Sequence, residues 1–345
     1  MATVAVVTSS PPFAEGGHLV MARELVRALR EEGHDAGLIV TPQNRFGQQG
    51  SAYLAAWCTD VQVAHEEKKA DQVICLRLPG YAVQHPNHVL WLNHRMREYY
   101  DLWEQFSAHL TWKQGVKERA RRALIHRVDK HLFNKMRRRF VISATVQSRL
   151  HRFGGIQSTV LYPPPPRRAY RHDRYGDYIF GVSRLSPLKR FDLVLRALAE
   201  PSAAAIRCVI AGEGAELETL RTLSQHLGIE DRVQLIGRIT DAEMIDHLAR
   251  CRAVVFPPFN EDYGFVTVEA FMCGKAVITC ADSGGPSELV KNGEHGYVTA
   301  PNPEALAEAL RSVMHDKNLA QRMGEAGHTM ASQMTWSGAI SHLLL

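Results

Sequence analysis

The chain has 345 residues, 45% apolar and 22% charged, with a formal net charge of +5. That length exceeds one ordinary core and fits two domains of about 150 residues each. No run of 18 apolar residues occurs, so no membrane-spanning helix is expected, and the opening MATVAVVTSS lacks the basic and apolar stretches of a secretory signal.

Six cysteines (Cys58, Cys75, Cys208, Cys251, Cys273, Cys280) are scattered without a C-x-x-C pair. This pattern predicts reduced, mostly buried thiols in a cytoplasm, not a disulfide frame or a zinc site. The charge is uneven. Residues 111–152 hold thirteen Lys and Arg against Glu118 and Asp129, a net +11, which leaves −6 for the remainder. Such a block reads as a solvated helix face or as a surface drawn to an anionic membrane. No nucleic-acid motif accompanies it, so no nucleic acid is expected as partner.

In chain order, TVAVVTS (3–9) reads as a buried strand. Leu19, Ala22, Val26 and Leu29 then recur at helical spacing from His18 to Arg30, and DAGLIVT (35–41) is a second strand. DQVICLRLP, HVLWLNH, RFVISA and STVLYP continue as strands, with a helix over 113–136. YPPPPRRAYRHDRYGDY (162–178) interrupts the pattern, because consecutive prolines favour an extended connector without donors. The alternation resumes with strands YIFGVS, IRCVIAG, RVQLIG, RAVVFP and KAVITC, and helices near 189–199, 214–227, 240–250 and 264–273. Alternating strands and helices predict parallel sheets covered on both faces. The expected division is an N-terminal Rossmann-like domain (1–165), a C-terminal one (166–330) and a short tail (331–345) packing back on the first.

In such sheets ligands sit at the carboxyl ends of strands. Gly16 and Gly17 follow the first strand and precede its helix, which suits a phosphate or a plain turn. GVSRLSPLKR places Arg184 and Lys189 at another strand end, where two cations suit a diphosphate or simply a charged helix start. AGEGAE, with Gly212 and Gly214, is half of a dinucleotide fingerprint and equally a tight turn. Arg238 and Ile239 end the next strand, and Asp241 reads as the cap of the helix after it. PPFNEDYGFVTVEAFMCGKAVI (257–278) puts Glu261 in a loop and Glu269 in the helix opened by Gly264, with the first-turn N–H groups of Phe265 and Val266 between them. Two carboxylates beside a set of donors suit vicinal hydroxyls, which one carboxylate can accept in pairs.

Glu, seven residues, Glu, followed by SGGPSELV, resembles the retaining glycosyltransferases of family 4, whose GT-B fold has two Rossmann-like doubly wound parallel-sheet domains facing across a cleft. GVSRLSPLKR resembles that family's diphosphate site, AEGG its N-terminal glycine loop, and VLWLNHRMREYYDLW the acceptor-side stretch of a bacterial branch. The resemblance runs from about residue 3 to Trp336. It implies that Glu269 holds the donor ribose, Glu261 holds hydroxyls of the transferred sugar, and Arg184 and Lys189 neutralise the diphosphate. Gly16, Gly17, Gly212, Arg238, Ile239, Gly264, Phe265 and Val266 complete the donor set, and His94 lies beside the transferred sugar. After His94 the chain departs from the family's Gln-His-Arg with Arg95-Met96-Arg97, a change on the acceptor side.

The expected activity is retaining transfer of a sugar from a nucleoside diphosphate sugar to a hydroxyl acceptor, in bacterial polysaccharide, glycolipid or glycosylated natural-product synthesis. No D-x-D-like pair is placed to hold a metal, so metal-independent chemistry without a cofactor is expected. The partners are the nucleotide-sugar and a sugar or lipid-linked sugar acceptor, with segment 111–152 against an anionic membrane. The enzyme would then be cytoplasmic or peripheral on the inner membrane face. The alternatives are a non-catalytic GT-B binding protein and a sugar phosphorylase or synthase on the same fold. An NAD-dependent oxidoreductase leaves Arg184, Lys189 and both glutamates without a task.

Overall fold

The computed structural model describes residues 1–13, 16–44, 46–62 and 69–345, and every element below lies among them. Ala14 and Glu15 of the AEGG stretch fall outside. The chain divides into two units, Met1–Pro163 with Thr335–Leu345, and Pro164–Met334.

The first unit runs β1 (Thr3–Ser10), α1 (Gly17–Glu31), β2 (Asp35–Pro42), α2 (Gln49–Trp57), β3 (Gln72–Cys75), β4 (His88–Leu92), α3 (Trp103–Ser107), α4 (Trp112–Lys135), β5 (Arg138–Val141), α5 (Ala144–Arg152) and β6 (Thr159–Val160). Its strands form one parallel sheet in the order β2-β1-β3-β4-β5-β6. Runs such as VAVV and HVLWL are buried along their length, as expected of strands covered on both faces. The predicted stripe of α1 is buried at Leu19, Ala22, Val26 and Leu29, joined by Met21, Leu25 and Ala28.

The second unit begins with an extended connector in which Pro164, Pro165 and Pro166 are buried. It continues through β7 (Tyr178–Val182), α6 (Phe191–Ala199), β8 (Arg207–Ala211), α7 (Leu217–His226), β9 (Val233–Gly237), α8 (Asp241–Arg250), β10 (Ala253–Val255), α9 (Phe265–Met272), β11 (Ala276–Cys280), α10 (Gly285–Leu289), β12 (Gly296–Thr299), α11 (Pro303–His315) and α12 (Lys317–Ser332). The parallel sheet has the order β12-β11-β10-β7-β8-β9. Read from β9, this is the doubly wound order of a dinucleotide-type sheet, with the reversal between β7 and β10.

After α12 the chain returns to the first unit. Thr335 caps α13 (Trp336–Leu343), which buries Trp336, Ile340 and Leu343. Trp336 meets Trp91 of β4 edge to face at 6.1 Å. Gln72 anchors the end with both faces of its amide: Nε2 donates to the Leu343 carbonyl (2.6 Å) and Oε1 accepts from the Leu345 N–H (2.9 Å).

The basic segment is organised by α4, which starts on a Thr111–Gln114 capping box. Its two acids point inward. Asp129 is fully buried and accepts the hydroxyls of Tyr53, Tyr81 (2.8 Å) and Tyr100 (2.6 Å). Glu118 accepts the Tyr99 hydroxyl (2.5 Å) and pairs with Arg121 (2.7 Å). The outer face is left to Lys113, Lys117, Arg119, Arg127, Lys130 and Lys135, together with exposed Trp112, Val116 and Leu124.

Asp129→Ala removes the acceptor of three tyrosine hydroxyls at once, and each buried unpaired donor costs about 1–3 kcal/mol. Urea unfolding should show a loss of about 3 kcal/mol or more. Asp129→Asn, which keeps one carbonyl oxygen, should lose less. Wild-type stability in the alanine variant would contradict the arrangement.

Candidate active site

In the second unit β7 and β10 are neighbours, yet β7 leads toward β8 on one side and β10 toward β11 on the other. Their carboxyl ends therefore open a crevice that no crossover covers. The segments leaving those two strands are Ser183–Arg190 and Phe256–Gly264, which carry Arg184, Lys189 and Glu261.

The Glu261 loop is fixed by its backbone. Asn260 N–H donates to the Asp282 carbonyl (2.8 Å), Glu261 N–H to Ser283 (2.8 Å), and Gly285 N–H returns to the Glu261 carbonyl (2.9 Å). This close strapping explains the SGGP stretch. A Cβ on Gly284, whose φ is +72, would lie 2.4 Å from the Glu261 carbonyl oxygen, and one on Gly285 would lie 2.5 Å from the Tyr263 Cα. Gly264, at φ +80, turns the chain into α9 with no side-chain cap. The first-turn N–H groups of Phe265 and Val266 are thus left to an outside acceptor.

The cations divide into partners of the loop and of the helix. Lys189 ends a single 3-10 turn and its Nζ donates to Glu261 Oε2 at 2.6 Å. Arg190 takes a left-handed conformation (φ 52) and braces the site from beneath. Its guanidinium donates to both Asp282 oxygens (2.8 and 2.6 Å) and to the carbonyls of Pro257 and Pro258 (2.8 and 2.9 Å). Arg184 is exposed on the loop before the turn. Glu269 is buried in α9, and its Oε1 lies 3.0 Å from Nε of Arg168, which also pairs with Asp241. Burial pushes the Glu269 carboxyl up to about 7, Arg168 opposes the rise, and Asp241 adds to it.

Gly212 and Gly214 are accounted for by packing. Added Cβ atoms would lie 1.8 Å from the Ser183 carbonyl oxygen and 2.0 Å from that of Leu185. The half-fingerprint therefore lets the β8 end press against the Arg184 loop. The Gly212 N–H donates to the Gly237 carbonyl (2.7 Å), which ties in the β9 end where exposed Arg238 and half-buried Ile239 follow. Asp241 is not the cap of α8, as the sequence suggested. Thr240 is, in a capping box with Glu243, because a hydroxyl one residue earlier reaches the Glu243 N–H and leaves Asp241 to pair with Arg168.

In the first unit Gly16 is extended and its carbonyl accepts from Leu19 and Val20, so α1 opens at Gly17 without a side-chain cap. His94 follows β4, half-buried, with Nδ1 2.7 Å from the Arg95 carbonyl. That contact favours the tautomer with the proton on Nδ1. The departing residues are structural neighbours of this turn. Arg95 is buried over the Tyr100 ring at 3.6 Å, and Arg97 and Arg149 both pair with Asp101 (2.7 and 3.4 Å).

Sequence reasoning missed Arg168, Arg190 and Asp282. Arg168 carries no motif and stands in the connector. Arg190 adjoins Lys189 within the quoted stretch, but its left-handed turn is visible only in the structure. Among the described residues no three His, Cys, Asp or Glu side chains gather as metal ligands. A concavity of about 580 Å³ opens beside Tyr178, Arg207, Arg232 and His247. It lies at the amino ends of the strands, away from the crevice, and is not assigned to the chemistry.

The Glu269 shift has a stability signature. Its carboxyl titrates near 4.5 when unfolded and at about 7 when folded. Between those values the folded chain holds more protons, so stability is fully present below about 4.5 and declines as pH rises through 7. The decline from this group is at most about 3 kcal/mol. Urea titrations across that range should show the slope in wild type and lack it in Glu269→Gln; parallel profiles would contradict the shift.

Residues 167–330 match the family Glycosyl transferases group 1. An exopolysaccharide phosphotransferase of Streptomyces coelicolor is 34% identical over 157 residues, covering 44% of this chain and 16% of its own. A D-inositol 3-phosphate glycosyltransferase of Corynebacterium glutamicum is 29% identical over 200 residues, covering 53% and 47%. The chain thus spans about half or less of the length of these relatives. Anabaena HepE, solved in complex with UDP and glucose, superposes with a TM-score of 0.72 at 20% identity over 99% of this chain and 98% of that one. Sucrose-phosphate synthase from Thermosynechococcus elongatus gives 0.77 at 16% identity over 99% and 97%. These likenesses establish the GT-B type of α/β fold with two parallel-sheet domains. The match to the group 1 glycosyl transferases falls on the unit that carries Lys189, Glu261 and Glu269.

Proposed function

We propose that the chain is a retaining, metal-independent glycosyltransferase that moves a sugar from a nucleoside diphosphate sugar to a hydroxyl acceptor. The observation that carries this reading is the pairing of Glu261 with Glu269 around the uncapped start of α9, with Lys189 bonded to Glu261. The family and the relatives named above support it, and HepE, which was solved with UDP and glucose, supports a nucleotide-sugar as donor.

In this reading Glu269 accepts the ribose hydroxyls and Glu261 accepts hydroxyls of the transferred sugar. Arg184, Lys189 and the N–H groups of Phe265 and Val266 face the diphosphate. Gly212, Gly264 and the backbone of Arg238 and Ile239 shape the nucleotide seat. The family resemblance also assigns Gly16 and Gly17 to donor binding and His94 to the transferred sugar. As the bond from the anomeric carbon to the diphosphate oxygen breaks, the sugar gains oxocarbenium character and the leaving group gains negative charge. The acceptor oxygen bonds to the same face of that carbon, and its proton passes to the departing diphosphate. The protein's contribution is mainly fixed positive charge where negative charge develops. In the free chain Lys189 and Glu261 occupy each other. An arriving diphosphate would take the lysine and release the carboxylate to the sugar.

The acceptor side of the reading places α4 against an anionic bilayer carrying a lipid-linked sugar. Its outer face combines Trp112 (76% exposed), Val116 and Leu124 with Lys113, Lys117, Arg119, Arg127 and Lys130, while its acids are turned inward. Exposed aromatic and aliphatic side chains interspersed with cations suit an anionic surface, with each cation near it contributing about 1 kcal/mol. Among the described residues no helix is long and apolar enough to cross a membrane, so attachment would be peripheral.

Two tests follow. Release of nucleoside diphosphate from UDP-, GDP- or ADP-glucose should continue in EDTA, with the product anomer matching the donor by NMR. Arg184→Ala and Lys189→Ala should each lose about a hundredfold in kcat. Abolition by EDTA with rescue by Mn²⁺, or an inverted product, would overturn the mechanism. For the membrane, the chain should sediment with phosphatidylglycerol vesicles and not with phosphatidylcholine alone, and Trp112→Ser should weaken that binding. Equal binding to both lipids would remove α4 from the reading.

A further inference from the structure

Arg168 lies in the connector yet reaches the floor of the donor site. The residues on either side leave it little freedom. Before it, Pro163–Pro166 are buried with fixed backbone angles. After it the chain is stitched to the unit at successive points. The N–H groups of Asp173 and Arg174 donate to the Ala249 carbonyl (3.1 and 3.2 Å) and that of Gly176 to Arg250 (3.0 Å). The Tyr175 hydroxyl donates to the Gly274 carbonyl (2.8 Å), and buried Lys275 donates to the Arg174 carbonyl (2.6 Å). The connector is a strap, and Arg168 is the side chain it delivers to Glu269.

The surroundings of Glu269 give that delivery a purpose. The carboxylate is 5% exposed, and it faces Arg168 from the connector, Asp241 from the start of α8, and Cys273 one turn along its own helix. Burial and Asp241 both favour the protonated acid, and Arg168 opposes them. The two protonation states bind differently. An ionised carboxylate accepts two hydroxyl protons at once, whereas the acid must spend one oxygen as a donor. A cation 3.0 Å from one oxygen favours the ionised form against that burial.

We infer that Arg168 is a positioning residue of the donor site, placed beside Glu269 to favour the carboxylate form that accepts a ribose. The inference rests on the nucleotide reading given above. Asp241, 79% exposed at its side chain, holds the outer side of the same guanidinium and sets how strongly it acts on Glu269.

The test is calorimetric titration of UDP, GDP and ADP between about pH 6 and pH 9. It compares wild type with Arg168→Met, Arg168→Lys, Asp241→Asn and Glu269→Gln. Wild-type affinity should rise with pH through about 7 and then level, because ionisation of Glu269 favours binding. Arg168→Met should bind about tenfold or more weakly near neutrality, with its midpoint raised by about one unit or more, so that affinity recovers on the alkaline side. Arg168→Lys should restore most of the loss. Asp241→Asn removes an exposed acid and should move the midpoint down, which keeps the test usable if Arg168→Met does not fold. An Arg168→Met midpoint equal to that of wild type, a loss of equal size at every pH, or an unmoved or raised midpoint in Asp241→Asn would overturn the inference. If Glu269→Gln loses binding in that case, the donor reading stands alone. If none of the three nucleotides binds wild type, or Glu269→Gln binds as well as wild type, the donor reading falls and this inference with it.

Discussion

The reversal of strand order between β7 and β10 is the constraint on which the site depends. Two parallel strands lie side by side, but the chain leaves them for opposite sides of the sheet, so nothing in the topology closes the space above their ends. The loops that rise there must then be held by something other than regular pairing. Glycines do this at two points. Gly212 and Gly214 admit the carbonyls of Ser183 and Leu185, and Gly284 and Gly285 admit the backbone of Glu261 and Tyr263. Each contact is closer than any side chain would permit, and each brings one of the charged loops into place.

Charge is arranged on this frame in layers. Arg190 is fully engaged with Asp282 and two proline carbonyls, and so serves the loops. Lys189 and Glu261 form a partly buried pair, about a fifth exposed, that a ligand could reopen. Glu269 and Arg168 form a deeper pair, where desolvation is severe enough that the carboxyl titrates at about 7. A buried ion pair of this kind is weak evidence for stability. Its retention in a crevice at a topological switch point fits a binding role better than a structural one.

The alternation of elements was legible in the sequence because parallel strands buried on both faces read as short apolar runs, such as VAVV and AVITC. The stripe of α1 was equally plain at Leu19, Ala22, Val26 and Leu29. Helices α2 and α5 were not read, since QGSAYLAAW has little amphipathic contrast and ATVQSRLHR is short. Glu261, Lys189 and Arg184 stood out as charged residues at strand ends, and Glu269 as an acid within the helix opened by Gly264. Thr240 lost to Asp241 as the expected cap because both types favour that position, and only the Glu243 contact separates them. Arg168 left no local signal at all. Its role arises from a contact with a residue about a hundred positions away, which spacing within a segment cannot reveal.

The account stands or falls on whether α9 and its two glutamates form a nucleotide seat. The most direct measurement is a thermal-shift panel of UDP, GDP, ADP, dTDP and NAD⁺ with and without EDTA, on wild type and Glu269→Ala. A ligand at about a hundred times its Kd stabilises by about 2.7 kcal/mol, which is a visible shift. Expected is a rise in midpoint with one nucleoside diphosphate, unchanged by EDTA and absent in Glu269→Ala. A response to NAD⁺ alone, or an equal response in the variant, would contradict the claim.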